Sequence, residues 1–212
     1  VKDETTDLII NFGDHALYSI VPIKMLTGAK LLLSQRVDPY ACKKRTGIFR
    51  MRLYRFAEGL VCQTNGAMEY FDTVIKTNVE KVVIANPSDN VARYQWSLSN
   101  NDNYIVCLAR IDLEQKRQDV LLKAMKIVHE SYPDVKLRFY GLNKNNNVEK
   151  LENMIEELGL IGVASYCGVT EDVPYTLSRA KMLVLSSDFE GIPNAIIDAM
   201  KIGLPIVTTD CS

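Results

Sequence analysis

The sequence predicts an α/β protein of parallel sheets, and three observations carry that expectation. Short apolar runs recur along the chain, such as DLIINF at 7–12, YIVCLA at 104–109 and MLVL at 182–185. Each is the right length for a buried strand and too short for a helix. Between them, apolar residues fall three and four apart, the period of a helix with one buried stripe. Strand and helix then alternate to the end, a pattern met most economically by crossover helices that lay parallel strands side by side.

Taken in order, the run 7–12 is the first strand, 17–26 a helix and 30–34 the second strand. A third strand is expected at 60–63, a helix around 67–71 and a strand at 82–84. Asn86-Pro87 is a turn dipeptide, and 88–103 is polar and irregular, with the only tryptophan, Trp96. A boundary there divides the chain into domains 1–87 and 88–212.

The second domain opens with the strand 104–109. The helix after it carries Val120, Leu121, Ala124, Ile127 and Val128 as its apolar stripe. A strand at 135–140 ends in Gly141; Leu151, Ile155 and Leu158 mark a helix, and 164–167 is a short strand before Gly168 and Val169. Asp172 caps a helix through Ala180, because its carboxylate can accept a first-turn N–H. After the strand 182–185 a helix starts near Pro193, where a missing N–H costs nothing. Ile192, Ala195, Ile196, Ala199 and Met200 are its expected core stripe, Gly203 and Pro205 end it, and Ile206 and Val207 open the last strand.

Composition narrows the class. At 212 residues, 47% hydrophobic and 24% charged, the chain can bury a large core, and a net charge of −1 excludes a general attraction to nucleic acid. The five cysteines form no CxxC pair, so they read as free, mostly buried thiols in a reducing compartment, with no structural zinc. No apolar run reaches membrane-spanning length, and the cytoplasm is the expected location. Both ends abut strands, which reads as truncation on each side. His129 is expected to be exposed on its helix and without a role; His15, which follows a strand, reads as a solvated loop histidine or as a residue near the acceptor.

The chemistry concentrates in two places. In 186–210, a strand runs into Glu190 and Gly191 and then the helix at Pro193, with Asn194 and Asp198 four apart on one face. A tight turn into a helix N-terminus points amides and the positive end of the dipole at one spot, which suits a phosphate. Acids beside it could grip the hydroxyls of whatever carries that phosphate, although each acid alone is also what first helical turns favour. The second place is Arg110, at the end of the strand 104–109, with Lys116 before the next helix. A planar fork and a mobile point charge together suit a diphosphate.

Glu190 and Asp198, separated by seven residues and flanked by Gly191, Pro193, Asn194 and Ala199-Met200, resemble the signature of retaining family-four glycosyltransferases. Arg110 and Lys116 are similar to the pair that holds the nucleotide diphosphate in that family, and Arg36-Val37-Asp38-Pro39-Tyr40 resembles a segment of its bacterial polysaccharide members. The resemblance implies a GT-B fold of two Rossmann-like domains, the first incomplete, with the ligand between them. It implies transfer of a sugar from a nucleotide-diphosphate donor to a saccharide or lipid-linked acceptor, in polysaccharide biosynthesis, without metal or cofactor. Glu190, Arg110 and Lys116 would be catalytic; Gly191, Ile192, Asn194, Asp198 and the backbone at Val169 would bind substrate. The chain departs from the family where Asp198 replaces glutamate and where Ala109 and Asn143 stand at common glycine positions. Two other readings share the architecture: a nucleotide-sugar epimerase, and a fragment that binds a nucleotide sugar without catalysis.

Lys43, Lys44, Arg45, Arg50, Arg52 and Arg55 form a basic stretch, 43–55, without an acid and interleaved with Phe49, Tyr54 and Phe56. It reads either as a solvated face or as a surface for peripheral contact with anionic lipid on the inner face of the membrane.

Overall fold

The computed structural model describes residues 6–12, 16–40, 52–75, 78–87 and 94–211. The chain forms two compact units: Val1–Pro87 with Glu190–Ile192, and Ser88–Phe189 with Pro193–Cys211. Residues 190–192, expected in the domain 88–212, thus belong to the first unit.

In the first unit, strands β1 (Leu8–Phe12), β2 (Lys30–Ser34), β3 (Gly59–Cys62) and β4 (Glu80–Val83) form a parallel sheet in that spatial order. Helix α1 (Leu17–Thr27) joins β1 to β2, and α2 (Asn65–Val74) joins β3 to β4. Thr64 starts α2 because its hydroxyl accepts the Ala67 N–H. Every step along this sheet goes the same way, so right-handed crossovers put α1 and α2 on one face. That face is the core: Leu31, Leu33, Leu60 and Cys62 pack with Leu17, Val21, Tyr54 and Phe71. The opposite face is bare among the described residues, with Ile10 52% and Phe12 72% exposed, and Val82 exposed as well.

The second sheet has strands β5 (Tyr104–Leu108), β6 (Lys136–Tyr140), β7 (Ala164–Tyr166), β8 (Met182–Leu185) and β9 (Ile206–Thr208), all parallel, in the order β7-β6-β5-β8-β9. Here the direction of travel reverses at β5. Crossovers therefore fall on both faces, with α3 (Gln118–Ser131) and α4 (Asn147–Glu157) packed together, and α5 (Val173–Ser178) with α6 (Asn194–Ile202). Tyr104, Ile105, Val106 and Cys107 of the central strand are accordingly buried on both sides. Asp172 accepts the Tyr175 N–H at 2.9 Å and starts α5 as expected.

Some expectations are corrected. The buried face of α3 runs through Gln118, Leu121, Leu122 and Met125, while Val120 and Ile127 are exposed and Ala124 lies outside. The helix sits rotated from its apolar pattern, with Gln118 turned inward to donate to the Arg110 carbonyl. Met200 likewise points to solvent, and α6 seats on Ala199 and Ile202. His129 is half-buried rather than solvated, with an Nδ1 that finds no hydrogen-bond partner among the described residues. Of the described cysteines, Cys62 and Cys107 are buried, and burial pushes their thiols up to about 11 and about 12; Cys167 is exposed and Cys211 intermediate.

Candidate functional site

In the second unit, the reversal at β5 leaves a crevice at the carboxyl ends of β5 and β8, the place where open α/β sheets bind ligands. Arg110 leaves the end of β5 there. Its Nη2 donates to Asp112 Oδ2 at 3.2 Å and to Gln115 Oε1 at 3.0 Å, which holds the guanidinium while leaving its side chain 44% exposed. Asp112 is buried and also receives Lys144 Nζ at 2.6 Å. Burial opposes its ionisation, but Lys144, the Gln115 N–H and Arg110 outweigh that, and the carboxyl sits below the usual carboxylate range.

Lys116 follows, its N–H bonded to the Asp112 carbonyl at 2.7 Å. Arg117 then takes a left-handed conformation with φ 50°, uncommon without glycine. Its guanidinium pairs with Asp119 and Asp188, and Ser186 Oγ reaches the carbonyls of Lys116 and Arg117 at 3.0 and 2.8 Å. The loop after β5 is thereby stitched to the loop after β8. Helix α6 starts beyond that second loop, with Ile196 N–H bonded to the Pro193 carbonyl, so the amides ahead of it lie outside the helix's own ladder. Asn194 is exposed on its first turn and Asp198 half-buried one turn on. Val169 is exposed beyond β7, next to Gly168, whose carbonyl takes the Gly141 N–H at 2.8 Å.

Glu190, Gly191 and Ile192 belong to the first unit. Glu190 is 8% exposed and its carbonyl accepts the Asp38 N–H at 3.2 Å. A β-carbon on Gly191 would fall 2.7 Å from the Arg36 carbonyl oxygen and nearer still to Gln63 Oε1, so only glycine fits. The Ile192 carbonyl accepts Asn86 Nδ2 at 3.0 Å, and Asn86 Oδ1 accepts Gln63 Nε2. Gln35, Asp38, Tyr40, Gln63, Thr64 and Glu190 line a cavity of about 70 Å³.

Sequence reasoning named the cations and acids but missed the side chains around them: Asp112 and Gln115, which hold Arg110, with Lys144 on Asp112 in one unit, and Gln63 and Asn86, which bond each other and the Ile192 carbonyl, in the other. Asn86 had been read only as a turn. The available signal was position, since Gln35 and Gln63 each directly follow a strand. The basic stretch 43–55 lies largely outside the described residues, as does His15. Of its aromatic residues, Tyr54 faces the core and donates to Gln35 Oε1 at 2.5 Å, and Phe56 packs against that core. Among the described residues, no helix is long and apolar enough to cross a membrane.

Two parallel-sheet units with Rossmann-type crossovers are the architecture found in GT-B glycosyltransferases. The Anabaena protein HepE, solved with UDP and glucose, superimposes with a TM-score of 0.79 at 20% identity, over 97% of this chain and 59% of that one. The chain belongs to the family described as glycosyl transferases group 1, whose sequence model matches residues 88–212. It is 27% identical over 237 residues to an uncharacterised glycosyltransferase of Methanocaldococcus jannaschii, covering 100% of this chain and 57% of that protein. It is also 22% identical over 206 residues to the GalNAc-alpha-(1->4)-GalNAc-alpha-(1->3)-diNAcBac-PP-undecaprenol alpha-1,4-N-acetyl-D-galactosaminyltransferase of Campylobacter jejuni, covering 94% of this chain and 54% of that one. The chain thus spans about half the length of these curated relatives.

Proposed function

We propose that this chain carries the donor-handling machinery of a retaining glycosyltransferase. It moves a hexose from a nucleoside diphosphate to a saccharide or lipid-linked acceptor in polysaccharide biosynthesis. The observation that carries the reading is Arg110, anchored by Asp112 and Gln115 at the switch point of the second sheet with its guanidinium still partly open. Arg110 and Lys116 hold the diphosphate, and the amides around Gly191, Ile192 and Asn194 add to them. As the glycosidic bond breaks, charge grows on the leaving phosphate, and groups already in place lower that barrier. No metal is required for that role. Glu190 meets the donor sugar, Asp198 the ribose hydroxyls, and the backbone at Val169 the base. UDP in the HepE complex supports a nucleoside diphosphate, and the undecaprenol acceptor in the name of the Campylobacter relative supports a lipid-linked one. With such an acceptor, the enzyme would work from the cytoplasm at the inner face of the membrane.

Calorimetric titration with UDP, GDP and ADP, each against its nucleoside, tests the reading. The diphosphate should bind far better than the nucleoside, and Arg110→Ala should weaken it about tenfold or more, since a charged hydrogen bond contributes about 1.5–3 kcal/mol. Equal binding by Arg110→Ala would remove the assignment. Binding without release of nucleotide from a sugar donor would favour a non-catalytic fragment.

A further inference from the structure

We propose that Gln115 is a positioning residue that fixes the register between Arg110 and the loop leading to the acid; this rests on the donor-site reading above. Gln115 is 9% exposed, and its side chain makes two contacts at once. Oε1 accepts from Arg110 Nη2 at 3.0 Å, and Nε2 donates to the Phe189 carbonyl at 3.2 Å. The Phe189 carbonyl belongs to the peptide immediately before Glu190. One planar amide therefore spans from Arg110 to the residue that precedes Glu190 in the chain.

Only an amide can do both. Glutamate keeps the acceptor for Arg110 but sets a carboxylate against the Phe189 carbonyl, and methionine, of similar length, makes neither bond. Asp112 already accepts from Arg110 at 3.2 Å, through the oxygen that also receives Lys144 at 2.6 Å, so its contact with the guanidinium is in addition to that of Gln115 and does not replace it. Without Gln115 the guanidinium keeps a single, longer contact and regains rotamers that phosphate binding must then remove. The backbone bonds of Gln115 are independent of its side chain: its N–H goes to Asp112 and its carbonyl accepts the Asp188 N–H at 2.8 Å. Side-chain variants should therefore keep the loop.

The test uses wild type, Gln115→Met, Gln115→Glu, Arg110→Ala and the double variant Arg110→Ala/Gln115→Met, with UDP as probe and the heteronuclear NOE of the Arg110 Nε–H as a readout that needs no ligand. Gln115→Met should weaken UDP about threefold to tenfold, have no effect once Arg110 is gone, and make the Arg110 Nε–H mobile. Gln115→Glu should keep the Arg110 Nε–H ordered while speeding amide exchange at Phe189 and Glu190. An unchanged Arg110 signal in Gln115→Met, or an equal loss of UDP with and without Arg110, would overturn the assignment. Failure of the wild type to bind UDP would count against the donor-site reading alone, and the Arg110 signal would still decide the role of Gln115.

Discussion

The carbonyl of Ala109 occupies the place where a β-carbon on Gly141 would have to go. The carbonyl carbon would lie 2.5 Å from it and the Arg110 nitrogen 2.9 Å, and Gly141 has φ of 151°. The ends of β5 and β6 touch here by backbone alone, and the peptide involved is the one that launches Arg110. Gly141→Ala is predicted to cost about 2–4 kcal/mol and to disturb diphosphate binding together with stability. Gly66→Ala is the control: nothing lies within 4 Å of its added β-carbon, and it stands on α2. There the change should be neutral or stabilising by up to about 1 kcal/mol. Urea unfolding of the two variants checks the contrast, and a stable Gly141→Ala protein would refute it.

Asp112 gives a pH dependence with a definite sign. Its folded carboxyl is held below the ordinary value near 3.9, so its contribution is full above about pH 4 and disappears as pH falls through the folded value. Asp112→Asn should destabilise by about 1–3 kcal/mol at pH 7, discounted because Arg110 and Lys144 are partly exposed. That difference should shrink well below pH 4. Denaturation at pH 7 and pH 3 measures it, and a difference that grows on acidification would reverse the argument.

The two faces of the first sheet should respond very differently. Leu33 is 1% exposed on the covered face, and Leu33→Ala should cost about 2–5 kcal/mol. Phe12 is 72% exposed on the bare face, and Phe12→Ser should stay within about 0.5 kcal/mol for this chain. Chemical denaturation of both variants decides it; comparable losses would mean that the bare face is covered in solution.

The acids should divide their work. Asp198→Ala is predicted to weaken free UDP about tenfold or more, because ribose hydroxyls lose a carboxylate partner, and Asp198→Glu should be tolerated. Glu190→Gln should leave UDP nearly unchanged and reduce affinity for, or turnover of, a UDP-sugar. Titration of the three variants with UDP tests this, and a loss confined to Glu190→Gln would exchange the two roles.

Strand positions and helix positions were legible in the sequence by itself, and so were the polar loops that follow the strands. Period-two and 3.6-residue patterns, a capping Asp172, and Gly203 at a helix end are local signals, and strand ends carrying Arg110 or Glu190 can be found from them. Tertiary structure alone decided the rest. Whether a sheet runs in one direction or reverses depends on which strands pair across long stretches of chain, and that choice buried the second sheet on both sides and left the first bare on one among the described residues. Which face of α3 is buried, with Gln118 turned to the Arg110 carbonyl and Val120 and Ile127 left exposed, is not given by apolar spacing. The bridge made by Gln115 joins residues far apart in sequence, from Arg110 to Phe189, and no local period encodes a partner that only folding brings within hydrogen-bond reach.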